Sequence, residues 1–208
     1  MKKIYFSFLI LILAACTPNP KIDPSKPPVP EPVPFSFKGE WPKQEYTDAL
    51  VKELRANGQD MLSIYPTDWD QFCKSKALTE DQKIQFYVTL ISALSYYESS
   101  YNPKATYVEP DIYDRLGKHV VSAGLLQLSI ESGNAYKCAL KQTSDLFDPA
   151  TNLKCGVIIM NRWVGQIDKV IYSPKSPWRG AARYWSPFRK ADRIARFKQK
   201  TMALDFCK

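Results

Sequence analysis

The sequence holds one histidine, His119, which leaves no basis for a histidine-rich metal centre. Its cysteines include no two at zinc-finger spacing, which argues against a four-cysteine metal site as well. There is no Gly-rich phosphate loop and no RNA-binding aromatic motif, and nucleic acid therefore has no recognisable reader here. The longest apolar run, residues 4–13, is too short to cross a bilayer as a helix. Strand-like alternation of polar and apolar residues is scarce, and the chain reads as all-α.

What remains is one domain's worth of core-forming chain. The 208 residues are 45% hydrophobic and 13% aromatic, enough to bury a single core. The formal net charge is +8, or +6 once Lys2 and Lys3 are removed with a leader. A basic surface suits an acidic polymer of almost any kind.

The chain divides into three parts. Residues 1–15 read as a signal peptide, with Lys2 and Lys3 as the charged start and residues 4–13 as the apolar run. Leu13-Ala14-Ala15-Cys16 resembles a bacterial lipobox, which implies cleavage before Cys16, lipidation of that cysteine and attachment to a membrane surface. Thr17 follows in place of aspartate, resembling lipoproteins sorted to the outer membrane of a Gram-negative cell, facing the periplasm. Residues 16–40 form a linker containing Pro18, Pro20, Pro24, Pro27, Pro28, Pro30, Pro32 and Pro34. At about 3 Å per residue in polyproline II, roughly 22 residues reach about 70 Å. A partner-binding PxxP segment is the alternative use of these prolines. The folded domain is expected over residues 41–208.

Within that domain, helical periodicity covers residues 45–61, interrupted near its end by Gly58. Residues 63–76 read as an irregular connection. Thr79, with Gln82 three residues on, is a capping signature that opens a helix. Residues 105–122 read as a polar loop, and residues 131–140 as a short helical piece. Asp148 and Pro149 supply a cap and a first-turn proline for a helix running to about residue 168. Residues 178–185 and 191–204 read as two further helices.

The helix opened by Thr79 carries the most informative residue. Ile84, Tyr87, Val88, Ile91 and Leu94 form one apolar face, and the same spacing continues onto Glu98. Asn102-Pro103 stops the helix, because a residue before proline is driven out of the α region. Glu98 is thus placed on a buried stripe in a last helical turn. Both the helix dipole and burial disfavour its charge there. A carboxyl so placed is suited to general acid work near neutral pH. A structural glutamate at a helix end is the plainer account of the same stretch.

Setting Cys16 aside leaves Cys73, Cys138, Cys155 and Cys207, an even number in an exported domain. Three pairings are possible. The favoured one joins Cys138 to Cys155, tying the short helix to the next, and Cys73 to Cys207, tying the chain's end to the start of the Glu98 region.

Four segments in order then resemble a known family. Glu98-Ser99-Ser100-Tyr101-Asn102-Pro103, Gly124-Leu125-Leu126-Gln127-Leu128, Asp148-Pro149-Ala150-Thr151-Asn152 with Gly156, and Ala182-Arg183-Tyr184-Trp185 resemble the conserved blocks of soluble lytic transglycosylases, which are similar to goose-type lysozymes. The resemblance implies a lysozyme-like helical fold and cleavage of the MurNAc–GlcNAc bond of peptidoglycan. It further implies 1,6-anhydro-MurNAc ends, a single catalytic acid at Glu98 and no cofactor or metal. A muramidase of the same fold, a non-catalytic wall-binding lipoprotein and a partner-binding lipoprotein are the other readings. The chain departs from the family in the length of residues 103–124 and in having Trp185 where asparagine is common.

The resemblance also nominates residues for substrate contact. Gln127 is expected to bind a sugar amide or hold Glu98, or else to satisfy its own turn. Gly124 and Leu125 are expected to bring backbone close to the glycan. Tyr184 is expected to reach Glu98 or a sugar, Tyr101 and Trp185 to line the groove, and Ser99 to orient Glu98. A hydrolytic route would need a second carboxylate, with Glu109, Asp111 and Asp114 as candidates. Arg189, Lys190, Arg193, Arg196, Lys198 and Lys200 read as a solvated basic face. The expected partners are glycan strands and, through Cys16, a membrane; the expected state is a monomer.

Overall fold

The computed structural model describes residues 34–208. The signal peptide, Cys16 and most of the proline-rich linker lie outside the described residues. The folded unit spans Phe35–Lys208. It therefore begins inside the stretch assigned to the linker. Lys38 and Gln85 exchange hydrogen bonds at 2.9 and 2.8 Å, and the Glu40 amide donates to Ser92 Oγ at 2.9 Å.

Helix α1 (Gln44–Asn57) buries Tyr46, Leu50 and Leu54, one residue per turn. It ends at Gly58, whose amide donates to the Leu54 carbonyl, and α2 (Gln59–Ser63) restarts beyond it. The single helix expected over residues 45–61 is thus split at Gly58, whose backbone leaves the helical region at φ −102°, ψ 11°, and the close Leu54 carbonyl leaves no room for a side chain there.

Helix α3 (Glu80–Ser99) opens with the expected Thr79–Gln82 capping box. It is buried on nearly every side from Lys83 to Ser95, as befits a helix running through the core rather than over it. Ser100 and Tyr101 follow in the left-handed region, with φ of 51° and 65°.

The stretch expected as a polar loop is a β-hairpin. Strand β1 (Thr106–Tyr113) pairs antiparallel with β2 (His119–Ala123), matching Thr106 to Ala123 and Tyr113 to His119. The register shifts between Val108 and Tyr113, where Pro110 has no amide to donate. Nearly all of β1 is exposed, so it shows no apolar alternation. Strand β2 is the buried partner, through Val120, Ser122 and Ala123. At the tip, Asp114 Oδ1 accepts the amides of Leu116 and Lys118, both at 2.8 Å.

Helix α4 (Ile130–Ala135) is shorter than the expected 131–140. Helix α5 (Pro149–Met160) starts on Asp148, whose carboxylate accepts the Thr151 amide at 2.9 Å, and it continues as a π-helix over Asn161–Ile167. The helix expected at residues 178–185 is replaced by two 3-10 turns, Gly180–Arg183 and Ser186–Arg189. Gly180 sits at φ 61° against the carbonyls of Val170 and Ile171, a position no helix could continue through. Helix α6 (Ala191–Met202) closes the fold, burying Ile194, Phe197 and Thr201 against α3 and neighbouring turns. Both disulfides pair as expected, Cys73 with Cys207 and Cys138 with Cys155.

Candidate active site

Four elements converge on a cleft of about 710 Å³: the end of α3, the hairpin, the segment from Ser129 into α4, and the Tyr184–Arg189 turn. Glu98 lies in it, in the last turn of α3 and half-buried. Burial is the leading cause that pushes its carboxyl from 4.5 up to about 7. The positive charges of Arg193 and Arg189 oppose that shift, and the negative charge of Glu109 adds to it. No hydrogen bond from the described residues offsets the desolvation. Glu98 therefore exchanges its proton near neutral pH, which is what a group acting first as acid and then as base requires.

Glu109 is the one hairpin acid in the cleft. It accepts a hydrogen bond from Ser122 Oγ across the strands at 2.7 Å. Asp111 does not line the cleft, and Asp114 is spent on closing the hairpin tip. Glu131, in the first turn of α4, also faces the cleft. Its spacing from any motif is uninformative. Arg189, read as part of a solvated basic face, lines the cleft instead. Its guanidinium donates to the Ala182 carbonyl and lies 4.3 Å from the Trp178 ring centre. Arg193 stacks 4.6 Å over Tyr97, next to Glu98.

Several nominated residues are committed to contacts within the protein. Ser99 makes no hydrogen bond to the Glu98 carboxyl; its one hydroxyl proton is shared between Ser95 O at 3.2 Å and Leu125 O at 3.0 Å, fastening the end of α3 to the turn after the hairpin. Leu125 is fully buried in the core. Gly124, at φ 78°, makes its close approach to Leu146 and Asn152 within the protein, not to an open groove. Tyr101 packs on Tyr96, with ring centres 5.6 Å apart, and stands outside the cleft. Trp185 borders the cleft but is 2% exposed, and its indole N–H donates to Leu126 O at 3.1 Å.

Gln127 and Tyr184 do line the cleft. The Gln127 amide donates to Ala105 O at 3.1 Å and Gly124 O at 2.9 Å, so its NH2 satisfies its own turn and the hairpin base. Tyr184 pairs with Ser132 Oγ at 2.7 Å rather than with Glu98. Burial pushes its hydroxyl up to about 12, keeping it neutral.

The sequence pattern of the transglycosylase SLT domain matches residues 77–193. Wild-type form 2 of Bd0314 DslA is 37% identical and superposes with a TM-score of 0.74, over 79% of this chain and 92% of that one. Two further structures of DslA, each with one glutamate replaced by glutamine, are 36% identical with the same score and coverage. No curated protein matches the chain.

Proposed function

The chain belongs to the transglycosylase SLT domain family, lysozyme-like lytic enzymes of peptidoglycan, and from that membership we propose that Glu98 is its catalytic acid. Protonated Glu98 delivers its proton to the glycosidic oxygen between MurNAc and GlcNAc as the bond to C1 breaks. The carboxylate left behind takes the proton of the muramyl 6-hydroxyl, whose oxygen closes on C1. The product is a 1,6-anhydro-MurNAc end, and Glu98 is again protonated. The observation that carries this reading is a half-buried carboxyl in the cleft that titrates at about 7.

Hydrolysis is the second reading, favoured by one feature. Glu109 shares the cleft and is held by Ser122, as a carboxylate activating water would have to be. The glutamates substituted in the two DslA structures lie eleven residues apart, the spacing of Glu98 and Glu109. Mass spectrometry of digested peptidoglycan separates the two. Anhydro ends support the single-acid route, and reducing ends move the enzyme to the muramidase class. Full activity in Glu98→Gln removes the site from both.

The proposal extends to placement. A lipid on Cys16, with residues 17–33 as tether, would hold the cleft at the wall on the periplasmic side of an outer membrane. One copy carries the complete cleft, so the monomer is the proposed working unit. Cys16→Ser is expected to release the protein from membranes or leave an unprocessed precursor. Unaltered fractionation and size would sink the anchor.

A further inference from the structure

Two tyrosines on the hairpin have no part in the chemistry at Glu98. Tyr107 and Tyr113 line the cleft yet remain 55% and 58% exposed. Both project from a strand that is held at two points besides its pairing with β2. Ser122 ties to Glu109 across the strands, and Asp114 closes the tip.

Tyr113 is the more constrained of the two. It is the cross-strand partner of His119. Their ring centres lie 4.5 Å apart with planes inclined by 34°. His119 is itself held by a 3.0 Å contact between Nδ1 and the Glu109 carbonyl. The tyrosine ring is therefore backed by a second ring before any ligand arrives. Ile112 beside it widens the apolar lining of the cleft.

Open aromatic faces lining a cleft signal something that covers them. A pyranose is the fitting cover. One of its faces presents C–H groups that pack on the electron-rich face of an aromatic ring, while its hydroxyls stay in water. We propose that Tyr113, with His119 as its positioning residue, is a sugar-stacking subsite of the cleft, binding a pyranose of the glycan strand away from the bond that Glu98 cleaves. This rests on the glycan-cleaving reading and adds to it the use of the hairpin.

The test uses the full enzyme on soluble, uncrosslinked glycan strands. Tyr113→Ala is expected to raise KM by about tenfold, the order for losing one well-covered aromatic contact, with the loss falling on KM rather than kcat. Tyr113→Phe, which keeps the ring, recovers most of that loss. His119→Ala, which leaves the ring unbacked, raises KM by a smaller factor. Unchanged KM in Tyr113→Ala, beside a wild type that digests the strands, overturns the subsite. So does a Phe variant as impaired as the Ala variant, which would assign the contact to the hydroxyl. A wild type that digests nothing would instead refute the glycan-cleaving reading itself.

Discussion

Asn152 accepts the Leu126 amide proton at 2.9 Å from the first turn of α5, while its own NH2 donates to Ala123 O at 3.0 Å and Leu146 O at 3.1 Å. One fully buried side chain thus holds the turn that follows the hairpin. Asn152→Ala would leave the buried Leu126 amide and the Leu146 carbonyl without their side-chain partner, while Ala123 O keeps the Leu128 amide. It is expected to destabilise the domain by about 2–4 kcal/mol in urea unfolding. Activity should fall with it, because the same turn sets Gln127 in the cleft.

Ser99 makes the matching tie from the other side. Ser99→Ala removes the hydroxyl bond to Leu125 O. The expected cost is about 1 kcal/mol, read from the unfolding midpoint. Turnover should drop while the alkaline limb of the pH profile stays in place, because Ser99 does not contact the Glu98 carboxyl.

The Glu98 titration carries a sign. Its folded value of about 7 lies above the unfolded one. The native state therefore holds the proton more tightly, and stability present below pH 4.5 is lost as pH rises through 7. The loss is at most on the order of 3 kcal/mol. Glu98→Gln should flatten that slope and be the more stable protein at pH 8, with activity on peptidoglycan abolished. Glu109→Gln removes a charge that raises Glu98, so the alkaline limb of activity should move to lower pH. If the single-acid route holds, this variant still releases anhydro ends; complete loss of activity would point to the hydrolytic one.

The disulfides should differ in weight. Cys138–Cys155 closes 17 residues and Cys73–Cys207 closes 134. In the chain-entropy account their removal costs about 3 and about 5 kcal/mol respectively. Calorimetry of the two double-alanine variants checks the order. An equal drop in melting temperature would show that strain or unfolded-state structure dominates.

The sequence alone carried the local and the repetitive features. The Thr79–Gln82 capping box, the start of α5 at Asp148-Pro149, the presence of two disulfides and the apolar spacing leading to Glu98 all follow from rules that act within a few turns or from an even cysteine count; which cysteines pair was one choice among three. The motif blocks led to the fold and to Glu98 for a related reason. Asp148, Asn152 and Gly156 are there to build the frame: a cap, a buried latch and a surface cut back to admit Leu126.

Tertiary contact decided the rest. Strand β1 is exposed on both faces and interrupted by Pro110, so its Tyr107, Val108, Ile112 and Tyr113 show no alternation that marks a half-buried strand; it pairs because β2 is anchored beside it by Val120, Ser122 and Ala123. That pairing brings Glu109 to Glu98 and leaves Asp111 and Asp114 outside, a choice among three acids that spacing could not make. Gly124, Leu125 and Ser99 looked like cleft residues because they adjoin it in sequence, yet their partners lie inside the protein. Arg189 looked like a solvated charge until the turn at Ser186–Arg189 carried it into the cleft. Periodicity is a short-range property and registers which face is buried. Which side chains share a cleft depends on loops whose conformations are fixed by distant carbonyls, and that information is present only once the chain has folded.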